Sequence, residues 1–205
     1  MKFIFLIFFQ MVSFFSLAQG PNLSAYKKYF TSEFRDWVLS FTNFTLSDFK
    51  LTETRPFDHN NPQDLNSLKS YYSIYKPILT FSKDSSRFID IYSYRLNLEK
   101  KGTGYLANVD IDQAVYLFDK KTKYWDRIYF AKSGNGIDEV TWISHTQFIL
   151  VGREESKREQ RTPMIILGDE VNQTLKIYIN TNTSCLEKPG GYRSPKLNRL
   201  SIDGI

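Results

Sequence analysis

The chain has 205 residues, and its 27 lysines and arginines exceed its 22 aspartates and glutamates by a formal charge of +5. That surplus is small and dispersed, which favours solubility and excludes the concentrated basic face that nucleic-acid binding requires. The single cysteine, Cys185, excludes an intrachain disulfide and a thiolate metal site, so the fold must be held by its apolar core.

The chain opens with Lys2, an apolar run from Phe3 to Leu17, and Ser16-Leu17-Ala18 before Gln19. A positive start, a short apolar core and a small-x-small site are the parts of a secretory signal peptide, here residues 1–18. The run is shorter than the roughly 20 residues that span a bilayer. The expectation is therefore a periplasmic or secreted protein with no membrane span after cleavage, and a disulfide-free domain of this size suits a bacterial envelope. A single domain is expected over residues 19–180, followed by an irregular tail over 181–205.

Leu23, Tyr26, Phe30, Phe34, Trp37, Val38 and Phe41 recur every three to four residues, which predicts an amphipathic helix over about 23–41, with Asn22 or Ser24 as its cap. Residues 42–66 read as irregular, with a short helix from Pro62 to about Lys69. From Tyr71 onward the apolar period is two. Runs at 88–94, 114–119, 126–130, 140–144, 147–152, 163–169 and 175–180 are separated by polar turns such as KKGTG, DKKTK and KSGNG, which predicts antiparallel strands. No strand–helix alternation appears, so a parallel α/β enzyme fold is excluded.

The strands repeat as a group. Thr80 aligns with Thr141, Phe81 with Trp142, Phe88 with Phe148, Leu117 with Leu167, Asp119 with Asp169, and Ile128-Tyr129 with Ile177-Tyr178. Two four-stranded units result, over about 76–130 and 139–180, at a separation in the range of propeller blades. Their opening turns, Phe81-Ser82-Lys83-Asp84-Ser85 above all, resemble the blades of periplasmic β-propellers of the Tol type and of the noncatalytic propellers of prolyl oligopeptidases. The usual Pro and Gly of that turn are absent here, and the resemblance supplies no catalytic residue. Two units cannot close a ring, so the fold expected is mainly β: two antiparallel blade-like sheets with an N-terminal amphipathic helix covering a face or edge.

Chemistry-bearing patterns are sparse. Asp110 and Asp112 in VDIDQ would share a face if extended, and a small hydrolase using these carboxylates is the alternative to a binding protein. SGNGIDE, residues 133–139, reads as a tight turn joining the units, and REESKREQR, 153–161, as a solvated loop. His59 and His145 lie in unrelated contexts without metal-ligand spacing, and there is no G-x-S-x-G elbow. No cofactor or metal is expected. Asp90, Tyr92 and Tyr94 fall on one face of an apolar strand, and tyrosines beside a carboxylate could bind a small glycan or peptide. These three are the expected ligand-binding residues of an exported, noncatalytic binding or protein-interaction module of the cell envelope, with a structural subunit of an envelope assembly as a further alternative. The basic residues of the tail, Lys188, Arg193, Lys196 and Arg199, could dock to a protein partner, although an unanchored terminus is the default.

Overall fold

The computed structural model describes residues 22–59, 68–155 and 160–203; the expected signal peptide lies outside them. In chain order the elements are a 3-10 turn (Leu23–Tyr26), α1 (Lys27–Thr31), α2 (Arg35–Leu39), β1 (Phe49–Pro56), α3 (Leu68–Tyr75), β2 (Thr80–Phe81), β3 (Arg87–Asp90), β4 (Leu96–Lys101), β5 (Gly104–Val109), β6 (Gln113–Asp119), β7 (Tyr124–Ala131), β8 (Gly136–Trp142), β9 (Gln147–Glu155), β10 (Arg161–Asp169), β11 (Thr174–Asn180), α4 (Pro195–Asn198) and β12 (Ile202–Asp203). Among the described residues no helix is long and apolar enough to cross a membrane.

The fold is mainly β, and the two expected units are two antiparallel sheets. The first runs β2-β3-β6-β7; the second runs β1-β11-β10-β9-β8, the N-terminal strand adding a fifth member. The registers agree with the sequence alignment except at one bulge. Phe81 pairs with Phe88 as Trp142 pairs with Phe148, and Asp119 faces Arg87 as Asp169 faces Gln147. Both aspartates accept backbone N–H bonds in the turns that follow, and Lys123 and Gln173 take the left-handed conformation at matching places. The one-residue slip needed to align Ile128-Tyr129 with Ile177-Tyr178 is a β-bulge in the β6–β7 ladder, between Val115 and Tyr116. The sheets meet along β2 and β8, where the Trp142 indole donates to the Thr80 carbonyl at 3.1 Å.

Period-two burial places the second sheet between two cores. Phe148, Leu150, Met164, Ile166 and Ile177 join the core shared with the first sheet, while Ile149, Val151, Ile165, Leu167 and Tyr178 face the N-terminal helices. The predicted helical stripe is the one that packs there, with Leu23, Phe30, Phe34, Trp37 and Phe41 all buried. The helix itself is not continuous. Thr31 and Ser32 bond their hydroxyls back to the Lys27 and Lys28 carbonyls, and the Phe34 N–H reaches Tyr29, so the ladder breaks between α1 and α2.

Three further expectations change. Within 42–66, residues 49–56 form β1, an outer strand whose mostly exposed, polar side chains hide its period. The expected start of the short helix at Pro62 lies outside the described residues; its described part, 68–75, runs past Lys69, so Tyr71 and Tyr75 stack at 4.9 Å on a helix instead of beginning a strand. Tail residues 181–203 are irregular but anchored: Cys185 is fully buried, Phe41 bridges to Glu187, Ser194 caps α4, and β12 pairs in parallel with β5.

Candidate functional site

Asp90, Tyr92 and Tyr94 do not form an exposed binding face, because β3 ends at Asp90. Its carboxylate is completely buried. Oδ1 accepts the backbone N–H groups of Tyr92 at 2.8 Å and Ser93 at 3.0 Å, while Oδ2 accepts the Tyr71 hydroxyl at 2.6 Å and that of Ser93. An aspartate that binds backbone N–H groups two and three residues on makes a turn, so the alternation inferred beyond it fails. Burial, followed by the charge of Asp90, pushes the Tyr71 phenol far above its usual range. Tyr94 lies partly exposed against Tyr116 and Phe130. Tyr92 turns inward and donates to Ser194 at 2.8 Å.

The other sequence candidates also resolve into structural roles. Asp110 Oδ1 accepts the N–H groups of Ile111 and Asp112 in the β5–β6 turn, so the two carboxylates do not form a cleft. Burial raises the Cys185 thiol to about 11, which keeps it unreactive. REESKREQR is not simply a loop, because Arg153 to Glu155 belong to β9. Among the described residues no group of His, Cys, Asp and Glu is arranged to hold a metal ion.

The repeat itself leads to the site. At the place corresponding to Asp90, the second unit has Leu150 and its strand continues. In the first unit the chain turns away and inserts the β4–β5 hairpin before returning as β6. This insertion, the start of β8, the end of β9 and the anchored tail enclose a cleft of 540 Å³. Leu96, Val109, Ile137, Leu197 and Leu200 supply its apolar wall; Tyr92, Arg95, Asp138, Arg153, Tyr192 and Arg193 supply polar groups. The repeated framework is thus the support, and the segments that depart from the repeat form the cleft.

A β-bulge sets the acidic side. Between Ile137 and Glu139 the register with β9 shifts, and both Asp138 and Glu139 turn toward the layer of helices and tail. Asp138 accepts the Trp37 indole N–H at 3.2 Å and pairs with Arg153 at 3.2 Å. Glu139 accepts the Ser194 hydroxyl and the Tyr192 hydroxyl at 3.2 Å, and pairs with Lys196 at 3.1 Å, which fixes the tail over the sheet. Glycine is required opposite the bulge: a Cβ on Gly152 would lie 2.0 Å from the Gly136 carbonyl oxygen. Gln113 completes the floor by bonding the backbone of Ile91 and Ile137 on both sides.

The cationic side is unbalanced. Arg153 is shared between Asp138 and Glu187, the latter at 2.9 Å, and Arg161 reaches the same Glu187 at 3.4 Å. Arg95 is half-buried and, among the described residues, has no carboxylate within ion-pair distance. Burial and then the repulsion of Arg153 lower its pKa, with Asp138 opposing. Arg193 lines the cleft from the exposed tail. Burial, then the charge of Glu139, push the Tyr92 phenol well above its usual range, so it remains a hydrogen-bond donor. Sequence reasoning missed Arg95, Asp138 and Arg153; the signal was the adjacent pair Asp138-Glu139, which interrupts the period-two pattern of GIDEVTW and marks a bulge.

No family model matches the sequence, and neither a curated protein nor a solved structure matches it.

Proposed function

We propose that this protein is an exported, noncatalytic binding module whose ligand is a small organic anion with an apolar body, seated in the Arg95 cleft. The observation that carries this reading is Arg95: a guanidinium held half out of water beside other guanidiniums, without an ion pair of its own among the described residues. Five fixed donors in a plane suit a carboxylate or phosphate, and a bound anion would relieve the repulsion with Arg153. Leu96, Val109, Leu197 and Leu200 would receive the apolar part, and the exposed Arg193 offers a second guanidinium at the polar end. An acidic peptide terminus presents the same chemistry, which keeps a protein partner within this class. Export is supported by the positive start, apolar run and small-x-small site of residues 1–18. The matched order of the two meanders supports kinship with propeller blades.

The test is calorimetric titration of the purified protein with octanoate and phenyl phosphate, using octanol as the uncharged control. Both anions are expected to bind while octanol does not, and Arg95→Gln is expected to weaken binding about tenfold to a hundredfold, as loss of a charge-assisted hydrogen bond does. Equal binding by the Arg95→Gln variant, or by octanol, would refute the assignment.

A further inference from the structure

The segment from Tyr192 to Ile202 is a wall of the Arg95 cleft that the sheets do not hold by deep burial. Tyr192, Arg193, Leu197, Leu200 and Ile202 face the cleft from it. Leu197, Leu200 and Ile202 are only half-buried, whereas Leu96 and Ile137 on the opposite wall are buried in their strands. Its backbone joins the sheets through β12, two residues long, and through the Tyr105 N–H, which donates to the Ser201 carbonyl at 2.8 Å.

A polar clasp supplies most of the remaining attachment. Glu139 accepts the Tyr192 and Ser194 hydroxyls and pairs with Lys196, whose Nζ also donates to the Thr80 hydroxyl at 2.6 Å. Tyr92 donates to Ser194 from the framework side. The chain just upstream is fixed by different means: Cys185 is fully buried, Glu187 takes Arg153 and Arg161, and the Lys188 N–H reaches the Ser40 carbonyl at 2.8 Å. Between the two lies Gly190-Gly191, both left-handed, with φ of 92° and 58°, and a Cβ on Gly190 would meet no atom within 4 Å. Two successive glycines, the first in open space, let the segment beyond them swing while Lys188 stays in place. Few buried apolar contacts and a short ladder put that segment at the low end of local stability.

We propose that Tyr192 to Ile202 form a strap, hinged at Gly190-Gly191 and clasped on Glu139, whose closure over the cleft is coupled to the ligand. The coupling rests on the anion reading above. A ligand lying between Leu96 and Val109 of the framework and Leu197 and Leu200 of the strap touches both walls. It therefore binds the closed form more tightly and shifts the strap towards it.

Amide hydrogen exchange of the purified protein, read by mass spectrometry with and without octanoate, tests this. In the free protein the strap should exchange at least about a hundredfold faster than β9 and β10. Octanoate at about 100 times its dissociation constant should slow the strap at least about tenfold, the limit being about a hundredfold if the open form does not bind. Lys196→Gln leaves Glu139 without its cation only while the strap is closed, and should speed strap exchange about tenfold with β9 and β10 unchanged. Strap exchange as slow as that of β10, or unmoved by Lys196→Gln, overturns the strap, and neither outcome involves the ligand. Octanoate that binds calorimetrically without slowing the strap overturns the coupling. Failure of octanoate to bind refutes the anion reading and the coupling with it, while the free-protein comparison still decides the strap.

Discussion

Replacing Asp90 with alanine removes a carboxylate that serves four donors inside the protein. The hydroxyls of Tyr71 and Ser93 can rotate toward other acceptors, but the backbone N–H groups of Tyr92 and Ser93 cannot. Each buried donor left unpaired costs about 1–3 kcal/mol, so the two together predict a loss of about 4 kcal/mol. For a domain of this size that is a large share of a total stability of about 5–15 kcal/mol, and it lowers the melting temperature by about 8–16 °C. Asp90→Asn keeps one oxygen for the two backbone groups and should cost less than half as much. Urea unfolding followed by tryptophan fluorescence measures both. Amide hydrogen exchange provides the local readout, with protection expected to fall first over residues 92–98, since this turn starts the β4–β5 hairpin. An alanine variant within about 1 kcal/mol of wild type would show that the turn is held by packing and not by the carboxylate.

Two other outcomes follow from the β8 bulge. Burial, opposed by Arg153, the Trp37 N–H and Arg95 and reinforced by the charge of Glu187, holds the Asp138 carboxyl at about 6 against an unperturbed 3.8. Between about pH 4 and 6 the folded protein therefore retains a proton that the unfolded chain has released. The Asp138 contribution to stability falls as pH rises through that window and is level above it, by up to about 3 kcal/mol in all. Asp138→Asn should flatten this part of the difference between urea profiles at pH 4 and pH 7, and an unchanged slope would exclude Asp138 as its source. Gly152→Ala forces a methyl group against the Gly136 carbonyl, with an expected cost of about 1–3 kcal/mol, the range for overpacking. Because the same clash displaces the bulge, anion affinity measured by calorimetry should fall as well; an intact affinity would mean that the bulge does not position the site.

Much of the framework was legible in the sequence because it is built from alternation. Strands β9 to β11, from Gln147 to Asn180, have one apolar face in each core and announce themselves by period two, and the repeated Leu-x-Asp pairs mark matching strand ends. What escaped is what departs from that rule. β1 carries Lys50, Thr52, Thr54 and Arg55 on an outer edge, where burial imposes little pattern. Tyr71 and Tyr75 suit either a strand or a helix by propensity; packing of Tyr71 on Phe88 and Trp125, and the Tyr75 hydroxyl's bonds to the backbone of Leu96 and Leu98, decide for the helix. β4 and β5 flank the KKGTG turn that the sequence displayed, but Asn97, Glu99 and Lys100 dilute the apolar signal of Leu96 and Leu98. The tail is anchored by polar contacts of Ser194, Tyr192 and Lys196 with one buried glutamate, and such contacts have no period to read. The site was missed for the same reason, since it is assembled from an insertion, a bulge and that tail.

Strand β1 has a consequence for the time course of folding. Phe49 pairs with Asn180 and Pro56 with Thr174, so this segment leaves the ribosome more than a hundred residues before the neighbour it pairs with. The loop closed by that pairing spans most of the molecule, and contacts of such long range are slow to form because chain entropy is lost before they contribute. Trp37 and Phe41 likewise wait for β8 to β11 to provide the surface on which they pack. A partly synthesised chain therefore holds the apolar stripe of α1 and α2 without a partner, and completion of β11 is the event that seats both that stripe and β1.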